Sequence, residues 1–164
     1  MALSAALLLA ICSCQKDDPE DELPDATQNG QHTFGCLVDG QPFLPKPAQA
    51  ISITRRKPLE AYLYNRRELT VSAMGDGYVN LALYPTLRLG TYTLGKTNTA
   101  NYGYVSNAAG EFYTDSLHTG SVTLTRLDTT AKIVSGSFEF TARKLRAEQT
   151  VRVTKGRFDA KYNQ

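Results

Sequence analysis

The sequence predicts an all-β domain, built as an antiparallel β-sandwich or barrel of about ten short strands. Runs of roughly four to eight residues are rich in β-branched and aromatic side chains, and several alternate apolar and polar residues with a period of two. Glycine, proline and asparagine separate these runs at short intervals, which is typical of antiparallel sandwiches and barrels. No stretch shows a convincing 3.6-residue apolar period, so we predict no helix of importance to the fold.

The chain begins with an apolar run that has the length of a signal-peptide core. Residues 2–11 are apolar or small except for Ser4, and the run is too short to span a bilayer, which needs about 20 apolar residues. Residues 11–14, Ile-Cys-Ser-Cys, resemble the lipobox of bacterial lipoproteins. That resemblance implies that 1–13 is a lipoprotein signal peptide and that Cys14 carries acyl chains. A signal peptide with two incidental cysteines is the alternative.

An acidic run follows directly after Cys14. Lys16, Asp17 and Asp18, with further acids behind them, resemble the surface-export signal of Bacteroidetes lipoproteins. That resemblance implies an outer-membrane protein on the cell exterior, held to the membrane through the lipid on Cys14. The run is equally typical of a solvated acidic linker, and both interpretations can hold. We therefore predict that residues 14–31 form a lipidated, acidic and disordered linker.

Residues 32–164 are expected to form a single all-β domain, long enough to bury a core. The whole chain has a net charge of +2, but beyond residue 25 it holds 17 basic and ten acidic residues. This surplus suits an anionic envelope polymer, and it equally suits Lys and Arg that cover exposed faces. The basic clusters at 55–57, 66–67 and 143–146 lack the interleaved aromatic residues of a nucleic-acid site, so we expect no nucleic-acid partner.

Cys36 would be the one cysteine of the mature chain besides the lipidated Cys14. It alternates with Phe34 and Val38, and this spacing predicts a buried side chain that behaves as a small apolar residue. An intramolecular disulfide is not expected.

Turn signals separate the first strands clearly. Asp39-Gly40 is the strongest kind of two-residue hairpin signal, and it joins a strand at 33–38 to a short return strand at 41–44. Further strands are predicted at 50–54, 61–64, 68–74, 78–84 and 90–95.

The stretch 96–116 mixes asparagine and glycine with aromatic residues. Tyr102, Tyr104, Phe112 and Tyr113 fit either two strands joined near residues 107–110 or one aromatic loop. Exposed tyrosines beside asparagines suit the stacking and hydrogen bonding of sugars, so these four are candidate ligand-binding residues. The alternative is that they are core residues or cross-strand pairs.

Alternation is clearest in the last third of the chain. Within the last strand, the inward positions change from odd numbers, as at Val153, to even numbers, as at Phe158. This change predicts a β-bulge at Lys155-Gly156, with Gly156 in the positive-φ conformation. Strands are predicted at 119–126, 134–143 and 151–162.

Four segments resemble a family of Bacteroidetes lipoproteins of uncharacterised function. These segments are 34–40, 125–128, 134–142 and 153–159, and the resemblance covers most of residues 33–162. Members share an N-terminal hairpin of the form V-[ND]-G and a final strand pair that contains S-G-x-F-x-F-x-A. These motifs consist of glycines and inward aromatic residues, so the resemblance implies a fold class and supplies no catalytic residues.

We predict no catalytic, metal or cofactor site. Asp115, Ser116 and His118 have the residue types of a hydrolase triad, but neighbours on one extended stretch cannot converge as triad members must. The two histidines are far apart in sequence, and neither has a cysteine or an acid at the spacing of a metal site. No glycine-rich phosphate loop precedes a helix. The expected protein is therefore not an enzyme.

These features predict a lipid-anchored lipoprotein of the outer membrane that faces the cell exterior. Its expected role is that of a non-enzymatic binding or envelope-structural module, with a glycan or another envelope polymer as a candidate partner. The alternatives are a β-barrel that carries a small apolar ligand and, in third place, a hydrolase. The sequence does not predict an oligomeric state.

Overall fold

The computed structural model describes residues 18–47, 57–95 and 101–163, and it confirms the all-β, antiparallel prediction. Within these described residues, a single turn of 3-10 helix at Pro19–Glu22 precedes eleven strands. The strands are β1 (Thr33–Val38), β2 (Gln41–Phe43), β3 (Leu59–Tyr64), β4 (Glu68–Met74), β5 (Tyr78–Leu83), β6 (Gly90–Leu94), β7 (Tyr102–Asn107), β8 (Gly110–Tyr113), β9 (Gly120–Asp128), β10 (Ile133–Lys144) and β11 (Thr150–Lys161). None of the described helical residues forms a helix long and apolar enough to cross a membrane.

The strands form one antiparallel sheet that is not closed. Its main path runs β2-β1-β11-β10-β8-β7-β5-β4-β3, and β9 and β6 branch from β10. The twelve-residue β10 is the junction, because its first part pairs with β9 and its last residues, Arg143 and Lys144, pair with β8. We call β1, β2, β6, β9, β10 and β11 the first half-sheet. The second half-sheet consists of β3, β4, β5, β7 and β8.

The two half-sheets share one hydrophobic core. Strand alternation turns one face of each inward, so that Leu69, Val71 and Ala73 of β4 are buried while the residues between them are half-buried. In the first half-sheet the rings of Phe34 and Phe138 pack with their centroids 5.2 Å apart. Each fully buried side chain of this size stabilises the fold by roughly 1.5–3 kcal/mol. Each half-sheet therefore keeps one outer face for other contacts.

The first hairpin forms as its sequence predicts. Asp39 and Gly40 have φ angles of 49° and 78°, which match the two left-handed residues of a type I′ turn. The Asp39 carboxylate also accepts a hydrogen bond from the backbone N–H of Arg152, at 2.7 Å, and so ties the turn to β11. Beside the hairpin, Cys36 is fully buried as predicted, and burial raises its pKa to about 12.

The bulge in β11 lies where the sequence predicts it, but its geometry differs. While β10 advances from Phe138 to Phe140, β11 runs from Gly156 to Val153 and thus contains one extra residue. The positive φ, 54°, belongs to Lys155 and not to Gly156. Position 156 needs glycine for another reason, because a Cβ there would lie 2.5 Å from the ring of Phe138.

Residues 18–31 lie across the outer face of the first half-sheet, and we call this segment the strap. The side chain of Leu23 in the strap is buried, with 6% of the residue's surface exposed. The guanidinium of Arg157, on β11, donates to the carbonyls of Leu23 and Pro24. Glu20 forms ion pairs with Arg157 at 3.1 Å and with Lys155 at 2.9 Å. The beginning of the strap is therefore held by both apolar and ionic contacts.

Asp159 holds the second part of the strap. Its carboxylate is completely buried and accepts hydrogen bonds from the backbone N–H groups of Asn29, Gly30 and Gln31 and from the Thr27 hydroxyl. The prediction of a disordered linker is therefore corrected for residues 18–31, which pack against the domain. The composition of this segment is typical of a linker, but Leu23 and the backbone groups supply contacts that composition does not reveal.

Several predictions lie outside the described residues. They are the signal peptide at 1–13, the lipidated Cys14, Lys16 and Asp17 of the export signal, and the strand at 50–54. Asp18 is described, and its carboxylate accepts a hydrogen bond from the N–H of Glu20 at 3.0 Å, which caps the 3-10 helix.

Candidate functional site

The outer face of the second half-sheet carries seven of the nine tyrosines of the chain. Alternation explains this, because Ala61 and Leu63 of β3 point into the core and turn Tyr62 and Tyr64 outward. We call this surface the tyrosine face. Its tyrosines are Tyr62, Tyr64, Tyr78, Tyr84, Tyr102, Tyr104 and Tyr113.

Strand pairing brings tyrosines from distant parts of the chain into contact. Tyr104 of β7 lies directly opposite Tyr113 of β8 on one side and Asn80 of β5 on the other. The ring centroids of Tyr104 and Tyr113 are 4.7 Å apart, and those of Tyr104 and Tyr78 are 5.9 Å apart. Both distances are typical of interacting aromatic pairs. Three tyrosines thus form one connected cluster at the centre of the face.

The tyrosine rings cover the small residues between them. Asn80 and Ala82 point outward from β5, yet only 7% and 1% of their surfaces are exposed. Tyr102 lies opposite Ala82, and the amide of Asn80 donates to the hydroxyl of Ser72 at 2.8 Å. The rings are therefore half-buried and rest on a packed layer of small polar and apolar side chains. This layer limits the movement of the rings, so the aromatic surface is preformed.

The four aromatic residues predicted to bind a ligand are divided between two faces. Tyr102, Tyr104 and Tyr113 lie on the tyrosine face, where their side chains are half-buried. Phe112 is completely buried in the core, so its assignment as a ligand-binding residue is corrected. The physical reason is strand alternation, because the adjacent Phe112 and Tyr113 of β8 must point to opposite sides of the sheet.

The surroundings of four tyrosines on the face favour their protonated hydroxyls. Burial raises the pKa of Tyr102, Tyr104 and Tyr113 above the usual value. The hydrogen bond from Tyr84 to Glu68, at 2.7 Å, raises the pKa of Tyr84 to about 12. Tyr104 also donates to a carboxylate, that of Glu111, at 2.9 Å. The face therefore presents aromatic rings together with fixed hydroxyl and carboxylate groups.

The charges on the tyrosine face are mostly negative, although the domain as a whole is basic. Glu60, Glu68 and Glu111 point outward from its strands. Arg143 stands opposite Tyr113, but its charge is compensated by Asp115, with Nε 3.2 Å from Oδ2. The predicted basic cluster at 66–67 lies in the turn between β3 and β4, at the margin of the face.

The residues of the possible triad lie in one tight turn. Asp115 accepts hydrogen bonds from the N–H groups of Leu117 and His118, and His118 Nδ1 lies 2.9 Å from its Oδ1. Burial would raise the pKa of Asp115, but these groups and Arg143 outweigh it and hold the pKa well below its usual range. Ser116 is exposed and is not among the hydrogen-bond partners of His118 within the described residues. Through its ion pair with Arg143, Asp115 connects this turn to β10.

A shallow cleft of about 490 Å³ lies beside the strap. Its walls are largely apolar, with Leu23 and Pro24 from the strap, Phe34 from β1 and Leu59 from β3. Its remaining lining residues are Glu22, His32, Thr33, Leu44, Pro45 and Pro58. Pro45 and Pro58 stand on either side of residues 48–56, which lie outside the described part of the chain.

Sequence reasoning missed Tyr62, Tyr64, Tyr78 and Tyr84 as members of the site. Alternation within the predicted strands could have predicted that Tyr62 and Tyr78 point outward. It could not show that β5 pairs with β7, which is the step that joins Tyr78 to the cluster around Tyr104.

Comparison with known families matches residues 55–160 to a domain of unknown function, DUF6252. The chain belongs to this family. The DUF6252 match begins before β3 and ends within β11, so it includes every strand of the tyrosine face, whereas the strap and the β1–β2 hairpin precede it. A search of curated proteins finds no match, and a search of solved structures finds none either.

Proposed function

We propose that this protein is a Bacteroidetes-type lipoprotein that binds a glycan at the cell surface without catalysing a reaction. It is attached to the outer membrane through acyl chains on Cys14, and its domain faces the cell exterior. The lipobox-like residues 11–14 and the following Lys16, Asp17 and Asp18 support the anchoring and the address. Several acyl chains on one cysteine make a durable anchor, which a single chain does not.

The tyrosine face is the observation that carries the binding proposal. Sugar rings present C–H groups that pack against the electron-rich faces of aromatic rings, and their hydroxyls need hydrogen-bond partners nearby. The cluster of Tyr78, Tyr104 and Tyr113 supplies the rings, and Glu68 and Glu111 supply acceptors. A filled sheet face of this kind suits an extended polymer lying across it more than a small molecule enclosed in a pocket.

The charges of the tyrosine face narrow the ligand class. Glu60, Glu68 and Glu111 would repel phosphorylated or acidic polysaccharides, and Arg143 is already paired with Asp115. The proposed ligand is therefore a neutral or amino-bearing glycan. Arg66 and Arg67 lie only at the margin of this face, and the other basic residues outside it add to the overall positive charge of the domain without attracting polyanions to the tyrosine cluster.

Removal of tyrosine rings tests the binding site. Tyr102→Ala with Tyr104→Ala should weaken binding to neutral polysaccharides at least tenfold, equivalent to about 1.4 kcal/mol, in affinity electrophoresis or calorimetry. The melting temperature should stay within a few degrees. Tyr104→Phe keeps the ring and should retain most of the affinity. Tyr92→Ala changes a tyrosine of β6, outside the face, and is the matched control.

Two results would contradict the glycan proposal. One is unchanged affinity in the double variant, and the other is loss of affinity in Tyr92→Ala alone. If the double variant unfolds, Tyr64→Ala gives an independent measurement, because this residue is 56% exposed and its removal leaves the core intact.

A carrier of a small apolar ligand is the second candidate function. The apolar cleft beside the strap, lined by Leu23, Phe34 and Leu59, is the observation that favours it. Mass spectrometry of an organic extract of the purified protein tests this alternative, since a carrier should yield a stoichiometric lipid or other apolar compound. A Leu44→Glu variant, at a half-buried position of the cleft wall, should then lose that compound, whereas glycan binding should not change.

A further inference from the structure

The docked strap leaves little chain between the proposed lipid and the folded domain. Asp18 already caps the 3-10 helix of the strap, and only residues 15–17 separate it from Cys14. Four Cα-to-Cα steps span at most about 14 Å, whatever conformation these residues adopt. This argument depends on the proposed lipidation of Cys14. With that lipid in the bilayer, the first residues of the strap must lie close to the membrane surface.

The contacts of the strap resist its release from the domain. Glu20 pairs with both Lys155 and Arg157, and the side chain of Leu23 is buried. Pro24 packs so closely on β1 that a Cβ at Gly35 would lie 2.6 Å from its Cδ. Separation of the strap would expose Leu23 and break a cooperative set of charge-assisted hydrogen bonds, so the strap does not act as extra linker.

The strap and the central tyrosine cluster lie on the outer sides of different half-sheets. Phe158 and Ala160 of β11 point into the core, whereas Arg157 and Asp159 point outward to the strap. The tyrosine cluster points outward from β5, β7 and β8, around the same core. At the margin of the second half-sheet, β3 comes close to the strap through Leu59 in the cleft wall. The shared core therefore lies between the strap and the tyrosine cluster.

The strap side carries charges of both signs. Arg152 and Lys161 are exposed on the outer side of β11, whereas Asp21 and Asp25 are exposed on the strap itself. Lys155 and Arg157 both pair with Glu20 of the strap. The orientation therefore follows from the short tether and the docked strap, and not from the sign of the charge on this side.

We infer that the strap orients the domain on the membrane, with the outer face of the first half-sheet toward the lipid headgroups and the tyrosine face directed away from them. The tether is then an orienting device and not a flexible stalk. The tyrosine face remains open to a polymer on the side remote from the bilayer.

Energy transfer from single labelled positions to a lipid dye tests the orientation. The full lipidated protein is placed in phosphatidylethanolamine and phosphatidylglycerol vesicles that contain an acceptor-labelled lipid. One donor is attached at Arg152→Cys, on the strap side, and a second at Glu111→Cys, on the tyrosine face. Cys36 does not compete for the label, because its thiol is buried.

Transfer should be clearly stronger from position 152 than from position 111. Insertion of ten Gly/Ser residues between Asp17 and Asp18 is the matched control, because it adds a flexible span of roughly 17 Å and leaves the strap contacts unchanged. The insertion should reduce the transfer from position 152 and bring the two positions closer together.

The possible outcomes separate the orientation from the proposed function. Mass spectrometry first shows whether Cys14 carries acyl chains, and a chain without them overturns both proposals. If Cys14 is acylated but positions 152 and 111 transfer equally, or the insertion changes nothing, the orientation is wrong while the anchored glycan binder stands. Lys161→Cys offers a second strap-side position if the label at Arg152 disturbs the adjacent hairpin.

Discussion

Five groups donate hydrogen bonds to the carboxylate of Asp159. Leaving any of these donors without an acceptor would destabilise the fold. They are the N–H groups of Asn29, Gly30 and Gln31 and the hydroxyls of Thr27 and Ser135. Burial by itself would raise the pKa of Asp159, but these donors outweigh it and hold the pKa at about 2, below the ordinary 3.8. The charged form is therefore the form that holds the strap.

Asp159→Asn should lower the free energy of unfolding at pH 7 by about 2–4 kcal/mol, because it removes the buried charge from donors that then lack an acceptor. The folded-state pKa is depressed, so the contribution of Asp159 is fully present above pH 4 and is lost as the pH falls towards 2. Urea unfolding at several pH values between 7 and 2.5 should show the difference between the two proteins shrinking with acidity.

The exposed pair of Lys46 and Asp76 provides the control for this prediction. Asp76→Asn changes a carboxylate whose side chain is 83% exposed and should alter stability little at any pH. A difference between Asp159→Asn and the natural protein that stays constant down to pH 2.5 would contradict the role assigned to the Asp159 charge.

At this scale the sequence predicts positions along a strand but not partners across the fold. Alternation predicts the burial of Cys36, but it leaves open whether Tyr104 points outward or belongs to the core. The hydrogen bond between Thr27 and Asp159 joins residues 132 positions apart, and neither has a local pattern that indicates the other. Composition alone predicts a disordered linker for the strap, because these long-range contacts have no signature in its composition.

The bulge in β11 shows how a single element meets two packing demands. The extra residue lets Val151 and Val153 face the core before the bulge and Phe158 and Ala160 face it afterwards. The same change of phase turns Arg157 and Asp159 toward the strap. Without the extra residue, one half of β11 would present the wrong face.

Gly156→Ala should destabilise the fold by about 1–3 kcal/mol, because its Cβ would lie 2.5 Å from the ring of Phe138. Combining it with Phe138→Leu, which removes the ring, should recover part of that loss. The measurement is a double-mutant cycle of urea unfolding. Simple additivity of the two substitutions would show that the contact between position 156 and the ring is not what requires glycine.

Strand positions were predictable from the sequence, whereas their order in the sheet was not. The hairpin at Asp39-Gly40, the strand at 68–74 and the bulge at 155–156 all follow from local signals. The pairings of β1 with β11, of β5 with β7 and of β8 with β10 join strands that do not follow one another in the chain, and local alternation carries no information about them. The tyrosine face depends on that order, so only its members within 102–113 were recognised.

The whole molecule has two chemically different sides. One side carries the strap with its exposed acids, together with exposed basic residues such as Arg152 and Lys161, and the other carries the tyrosine face with its aromatic rings and carboxylates. A domain built in this way suits a position between the membrane that holds its lipid and a polymer on the remote side. The docked strap also decides which assay can show the membrane surface on which the protein lies.

Protease digestion of intact cells is a poor assay of exposure here, because the strap is docked from Asp18 onward and leaves few tethering residues to cut. An epitope tag beside Leu145, which is 72% exposed in the turn between β10 and β11, avoids this difficulty. Antibody should stain intact cells that express the tagged protein. The Cys14→Ser variant should lose both the lipid and the staining.

Asp17→Ala and Asp18→Ala test the export signal in the same assay, and we expect both variants to be lipidated yet hidden from antibody. Asp18 caps the 3-10 helix as well as belonging to the acidic run, so its substitution changes the strap and the export signal together. Asp17→Ala changes the acidic run and leaves that cap in place. If both variants are lipidated yet hidden from antibody in intact cells, the acidic run directs export. If both remain stained, the run has no such role, and the surface location must depend on another signal.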